Sequence, residues 1–459
     1  MHRTAILVLC CLAQFIGLLD IAIVNVALPS IGADLGTSTT GLQWVINAYT
    51  LALAGFLLLG GRAADLLGRR EAFAGGLALF GLASLAGGLA QDTATLIAAR
   101  AGQGLGGAVV APAGLSIITT SFAAGAERNR AFAWWGTLGG LGGATGALVG
   151  GLLTVTLSWR WVMLVNAPLC LAAAFAALRI VPALGAPRRR SLDLAGALTA
   201  AAGLVAVTFA TVNAERHGLT SAATLGPFAA GAALLAMFLV IEARLAAAPL
   251  MPLALFRSRA LSGASAVMLC LGAVTFSMWF LYTLYLQQVL ALSAWEAGLA
   301  FVPISLTIMA STRLGSRLST TFGPGRVVTA GMAVLAAGML AFANVDASWA
   351  PDLLIPSMLC AAGIGCSFVP ATIAATSAVA VEDSGLASGV LNTAYQVGSS
   401  LGLALLATLA ADGFSRAFVT GGCLALAGSG VALAVLTRGS PSARPRRSRR
   451  HRGVISAGG

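Results

Sequence analysis

Apolar runs, each about the length of one bilayer crossing, recur from one end of this sequence to the other. The first surrounds LLDIAIVNVALP at 18–29, where Asp20 is the only charge between Thr4 and Ala33. A helix needs about 20 consecutive apolar residues to cross the hydrocarbon core. Windows of that length fall at about fourteen places, with cores at 5–28, 42–60, 72–90, 94–117, 131–156, 161–182, 192–212, 224–245, 262–287, 295–312, 327–345, 353–376, 385–410 and 417–437. The seventh and eighth, rich in Ala and Gly, are only moderately apolar. Of all residues 58% are hydrophobic and 9% charged, against roughly 25% charged in a soluble domain. Such a chain has too little polar surface to cover itself in water. In lipid its backbone must satisfy its own hydrogen bonds, which a bundle of helices does. The expected fold is an all-α integral membrane protein.

The arginines orient it. All 27 basic residues are Arg, and with the N-terminus in the cytoplasm 23 of them fall on the inner side and three, Arg160, Arg216 and Arg416, on the outer. That asymmetry is the one membrane insertion produces, and an even number of spans returns the C-terminus to the cytoplasm. The start, MHRTAILVLCCLAQFIG, imitates a secretory signal. No small-x-small cleavage site precedes Asp20, so it reads as a retained first helix. The tail from Arg438 holds seven arginines of a formal net charge of +12. It reads as a disordered anchor on anionic lipid rather than a nucleic-acid binder.

A faint repeat divides the chain. Gly61, Arg62 and Gly68 of GRAADLLGRR stand between spans two and three as Ser316, Arg317 and Gly323 stand between spans ten and eleven. Two six-helix bundles separated by a two-helix insert fit this pattern. The expected parts are 1–182, an insert with linkers at 183–260, a second bundle at 261–437 and the tail at 438–459. The seven cysteines all lie in apolar runs without metal spacing, and the three histidines lie near ends or in loops. No metal, cofactor, ATP-binding loop or catalytic constellation is expected, so the chain does not read as an enzyme.

Asp20 lies about sixteen residues into its span, on the order of 24 Å from the inner edge. Arg100 lies about eight residues past Asp92, on the order of 12 Å deep from the opposite edge. Both fall at a similar level, each costly alone, and a bundle that lets them meet relieves both costs. Two roles fit: a proton-exchanging acid whose charge state follows water access and the distance to Arg100, or an ion pair that only fixes helix packing. Gln103 and Gly104 share the helical face of Arg100, and Gln103 is placed to hold the guanidinium and is also a candidate for the lining of a substrate cavity.

Four other groups stand out. Gly142, Gly146 and Gly150 recur at every fourth position of span five, beside Ala147 and Gly151, a spacing that lets backbones approach closely. Phe276, Trp279 and Phe280 form a stripe on span nine that suits a core, a lipid face or the wall of an apolar cavity. Asn392 and Gln396 share a face of span thirteen and serve either a cavity or interhelical bonding. In GRAADLLGRR the glycines Gly61 and Gly68 permit a tight turn, while Asp65, Arg69 and Arg70 form a charge cluster.

These stretches together resemble the major facilitator superfamily, and within it the fourteen-helix drug:proton antiporters. GRAADLLGRR resembles the superfamily's signature loop. LIAARAGQGLGGA at 96–108 resembles its fourth-helix motif. LLDIAIVNVALP and WVINAY resemble the first two helices of the antiporters, and GALVGG at 146–151 their fifth-helix motif. WRWVMLVNAP at 159–168, YLQQ at 285–288 and GLASGVLNTAYQVG at 385–398 agree with it. One departure is that Ala147 stands where the family motif has Pro. The resemblance implies two six-helix bundles with two inserted helices and proton coupling at Asp20 and Arg100. It implies a conformational latch in Gly61, Arg62, Asp65, Gly68, Arg69 and Arg70, with Asp65 capping the helix opened by EDSG at 382–385. It also implies a seal built on the span-five glycines. The implied activity is export of amphipathic or apolar organic compounds in exchange for protons. Facilitated diffusion or proton symport of a small organic solute is the alternative. The partners are then the substrate, protons and the lipid of a bacterial inner membrane, without nucleic acid, and the protein is expected to act as a monomer. With Asp20 as the one acid well inside a span, the expected substrates are neutral, zwitterionic or monovalent.

Overall fold

The structure is a computed structural model that describes residues 2–437 except 124–125, 183–192, 219, 247–248, 250–252, 344–349, 380–383 and 412. The tail therefore lies outside the described residues. So do a few helical side chains, among them those of Arg62 and Asp65. Helices follow one another through short connections: α1 (His2–Leu35), α2 (Thr39–Leu67), α3 (Arg69–Gly88), α4 (Thr93–Ser121), α5 (Ala126–Thr156), α6 (Arg160–Leu164) and α7 (Asn166–Ile180). Then come α8 (Leu194–His217), α9 (Ala222–Val240), α10 (Arg259–Leu284), α11 (Ala294–Phe322), α12 (Pro324–Phe342), α13 (Ala350–Thr376), α14 (Ser384–Ala411) and α15 (Phe414–Val431). Among the described residues, 12 helices are long and apolar enough to cross a membrane, α6 and α7 together making one of them. The 29-residue α2 and 31-residue α5 also have crossing length. This is a multi-pass membrane fold.

Local chemistry starts and stops these helices. Ser38, Asp92 and Ser258 cap α2, α4 and α10 by accepting from backbone amides, and Ser293 with Glu296 makes a reciprocal capping box on α11. Gly68 ends α2 and begins α3 at φ +98°, and Gly323 does the same between α11 and α12 at φ +83°. The faint sequence repeat thus marks two like-shaped corners. One expectation changes here: residues 61–67 are helical, so Gly68 alone makes the turn. Gly61 instead lies within α2, where a side chain would meet the Pro112 ring at 3.6 Å.

Packing repeats as the corners do. In the first bundle α1 packs on α5, α2 on α4, and α3 on α4 and α7; in the second α10 packs on α14, α11 on α13, and α12 on α13 and α15. Across the bundles α5 meets α11, and α14 meets α2, so the cross-contacts obey the same two-fold relation. The inserted α8 and α9 pack on each other, and α8 also lies on α2 and α14, with Trp44 against Phe209 at 6.3 Å between ring centroids.

Glycine decides the closest approaches. A Cβ at Gly146 would stand 2.7 Å from the Leu19 carbonyl oxygen, and one at Gly150 2.8 Å from that of Ile23. Gly142 meets the Phe15 carbonyl in the same way. The stripe therefore seats α1 backbone-to-backbone on α5, as its spacing permits. Gly151 faces Ala294 and Trp295, and Gly298 faces the Ala147 carbonyl, so the other side of α5 is sewn to α11. Without Pro at 147, α5 runs as one helix from Ala126 to Thr156.

Candidate functional site

Asp20 and Arg100 meet in the interior of the first bundle. α1 carries the acid to a position with no solvent exposure, and α4 brings the guanidinium, 2% exposed, to it. Arg100 Nη1 donates to Asp20 Oδ2 at 2.5 Å and to Gln103 Oε1 at 2.7 Å. Arg100 Nε donates to the Val45 carbonyl at 3.1 Å, and its charge lies over the Tyr49 ring, 4.5 Å from the centroid. Both are contacts that a delocalised planar cation makes well.

The second carboxylate oxygen is served by two amides. Gln103 Nε2 donates to Asp20 Oδ1 at 2.9 Å and to Ser84 Oγ at 2.8 Å, and the Ser84 hydroxyl in turn donates to the Phe80 carbonyl at 2.8 Å. Asn166 Nδ2 donates to the same Oδ1 at 2.8 Å. Asp20 thus accepts three donors from α4 and α7, while α2 and α3 brace those donors from behind. Burying an isolated charge in this medium costs several kcal/mol. Here each charge has its counter-charge and hydrogen bonds at hand, which is the condition under which burial is sustained.

Near the arginine-poor end of α1 lies a clasp. Asp34 accepts from the Trp159 indole at 2.9 Å and from Arg160 Nη1 at 2.5 Å. Arg160 also donates to the Ala90 carbonyl at 3.2 Å. The segment that makes this clasp continues through α6, breaks at Val165 and begins α7 at Asn166. One short stretch of chain therefore touches α1 at both Asp34 and Asp20.

The remaining sequence candidates scatter. Gln103, counted toward a substrate cavity, is fully buried and spends its whole amide in the Asp20 network, so it does not line a cavity. Phe276 stacks on Trp279 at 6.3 Å between centroids and meets Tyr395 edge-on. Trp279 meets Phe301, and Tyr395 meets Phe368, extending an aromatic wall over α10, α11, α13 and α14. Phe280 is fully buried in the second bundle. Asn392 is exposed and donates to Ser388 one turn back, and Gln396 leaves its carbonyl oxygen unpartnered. In the 61–70 stretch Arg70 pairs with Glu71 at 2.6 Å. The cap of Asp65 on EDSG lies outside the described residues. A second buried acid, Glu242, sits in the turn that ends the α9 span, so Asp20 is not the only acid withdrawn from water. Among the described residues no cluster of His, Cys, Asp and Glu has a metal-binding arrangement.

Sequence reasoning missed Asn166, Ser84, Tyr49 and the Asp34 clasp. For Asn166 and the clasp the available signal is the fragment WRWVMLVNAP at 159–168, one of those that carry the family resemblance, which holds Trp159, Arg160 and Asn166 together.

The family model for the Major Facilitator Superfamily matches residues 10–403 and, in a second match, 267–457. The chain belongs to the major facilitator superfamily. It is 43% identical over 420 residues to the cephamycin export protein CmcT of Amycolatopsis lactamdurans, covering 90% of this chain and 86% of that one. It is 40% identical over 402 residues to the puromycin resistance protein pur8 of Streptomyces alboniger, covering 86% and 80%. A crystal structure of the peptide transporter POT in complex with sulfate superposes with a TM-score of 0.70 at 16% identity, covering 94% of each chain. That likeness is one of fold.

Proposed function

We propose that this protein exports amphipathic or apolar organic compounds from the cell in exchange for protons that bind Asp20. The observation that carries the reading is a fully buried carboxylate held by Arg100, Gln103 and Asn166 in a chain similar to a cephamycin export protein and a puromycin resistance protein. An intramembrane acid is costly to keep, and exchange of its proton between two aqueous faces gives the cost a use.

The geometry also supports alternating access. Contacts between the bundles gather at and above mid-depth on the arginine-poor side: Thr50 shares a 2.6 Å hydroxyl contact with Ser400, Gln287 donates to the Val26 carbonyl at 2.9 Å, and Gly151 and Gly298 knit α5 to α11. With the arginine-rich end in the cytoplasm, this is a conformation closed toward the outside of a bacterial inner membrane. Proton handling lies in the first bundle and the aromatic wall in the second. Among the described residues the rings of this wall meet one another and offer stacking surface, which suits neutral, zwitterionic or monovalent compounds.

The decisive measurement is transport in everted vesicles with an imposed pH gradient. Asp20→Asn is expected to abolish concentrative transport while inserting normally. An Asn variant that still concentrates substrate removes Asp20 from the mechanism. In the same assay a monocationic dye is expected to be moved and a dication of similar size to be refused. Equal transport of both ends the charge-selectivity reading.

A further inference from the structure

Hydrogen-bond accounting around Asp20 singles out one donor. The Arg100 guanidinium has no acceptor atom, and Gln103 has given its carbonyl to Arg100 and both amide protons to Asp20 and Ser84. Asn166 is different. Fully buried at the first turn of α7, it donates Nδ2 to Asp20 while its Oδ1 has no partner.

A carboxylate needs donors, whereas a carboxylic acid needs an acceptor for its own proton. In this network the open acceptor beside Asp20 belongs to Asn166. Rotating that amide by half a turn exchanges Nδ2 for Oδ1 at the same carboxyl oxygen, with no movement of Arg100 or Gln103. We infer that Asn166 is the positioning residue that lets Asp20 hold either charge state: its Nδ2 serves the carboxylate, and its Oδ1 receives the proton of the acid. The inference rests on the reading of Asp20 as the proton-exchanging group. When a proton arrives from water on one face, an O–H bond forms at Asp20 Oδ1 and the Nδ2–H···Oδ1 bond is broken. The amide turns and accepts the new O–H. Release to water on the other face reverses each change, and no other reactant takes part.

The groups that face Asp20 from its neighbours are few. Arg100 comes from α4 and Tyr49 from α2, Cys170 follows one turn after Asn166 on α7, α3 adds the neutral Ser84, and α5 offers glycine. Arg100, Gln103 and Ser84 do not change partners as readily, because each is tied to two groups besides Asp20.

The test uses the full chain in lipid nanodiscs and vesicles, with Asn166→Leu, near in volume but without an amide, Asn166→Gln, which keeps the amide, and Asp20→Asn as the blank. Infrared difference spectra across pH report the carboxylic C=O band of Asp20. In Asn166→Leu that band is expected at the higher wavenumber of an acid without an acceptor. Hydrogen bonds to the charged form are worth more than those to the neutral form. The pH profile of exchange in this variant is therefore expected to move to the alkaline side by about one unit, a tenfold change in proton concentration. Asn166→Gln is expected to restore most of the band position and profile, which a purely structural role does not provide. If Asn166→Leu fails to insert, Asn166→Ala gives the same readings. Unchanged band and profile in the loss variants, with the band absent from Asp20→Asn, overturn the role of Asn166 and leave Asp20 standing. A pH-dependent carboxyl band that survives in Asp20→Asn overturns the Asp20 reading itself.

Discussion

Removing Arg100 is the sharpest single perturbation available to the network. Arg100→Ala leaves a carboxylate with no counter-charge at a site without solvent. The expected cost is about 3–5 kcal/mol of stability, read as a lowered unfolding midpoint in detergent. Asp20→Asn combined with Arg100→Gln removes both charges and is expected to lose much less, so a double-mutant cycle reports the coupling. Arg100→Lys keeps the charge but loses the planar fork that bonds Val45, Gln103 and Asp20 together, and is expected to fall between the two. At this scale the sequence disclosed the charges because a charge in lipid is rare and expensive. It did not disclose Asn166 or Ser84, because a neutral polar residue in a span is common and cheap, and only its neighbours give it meaning. Gln103 shows the converse: its helical spacing from Arg100 was readable, but a residue on the arginine's face was also counted toward a cavity it does not reach.

Among elements, α5 sets the position of Asp20 by letting α1 approach to backbone contact. Gly146→Ala places a methyl 2.7 Å from the Leu19 carbonyl, so α1 must shift. The expected loss is about 1–3 kcal/mol with impaired exchange. Gly143, where a Cβ meets nothing within 4 Å, is the control, and Gly143→Ala is expected to be neutral in both readings. Asp92 anchors the start of α4, its carboxyl held below the usual range by the Thr95 amide and then the Thr95 hydroxyl. A depressed carboxylate stabilises above the ordinary range and loses that effect as the pH falls through its folded value. Thermal unfolding of Asp92→Ala is therefore expected to differ from the parent at neutral pH and to converge with it in acid. Helix positions were largely legible, because length and hydropathy fix where a chain crosses lipid. The break at Val165 was not, although Pro168, at the third position of α7, was its available signal. Nor did the glycines of GRAADLLGRR declare that only Gly68 turns, since both permit it.

For the molecule as a whole, the repeated packing of the two bundles predicts that transport requires them to separate where they now touch. Cysteines replacing Thr50 and Ser400, in a background lacking the native seven, are expected to crosslink on mild oxidation, since the parent hydroxyls lie 2.6 Å apart. Exchange should then stop and resume on reduction. Uninterrupted exchange in the crosslinked protein denies that α2 and α14 part during the cycle. The two-bundle plan was faintly legible in the Gly68 and Gly323 corners. The pairing of helices was not, because it depends on which small residues face one another across helices distant in sequence.

The joining of Asp20 and Arg100 in one bundle has an electrical consequence. While the two are ionised together the membrane interior carries no net charge at that site. A proton on Asp20 leaves the guanidinium uncompensated, one positive charge inside the low-dielectric region. A full crossing of that region is worth about 2.3 kcal/mol per elementary charge per 100 mV, and a charge at intermediate depth feels a fraction of it. If Asp20 is the proton-exchanging group proposed above, its protonated form is drawn toward the negative side of the membrane while the ionised pair itself adds no net charge, so through this site the transmembrane potential acts on the protonated step.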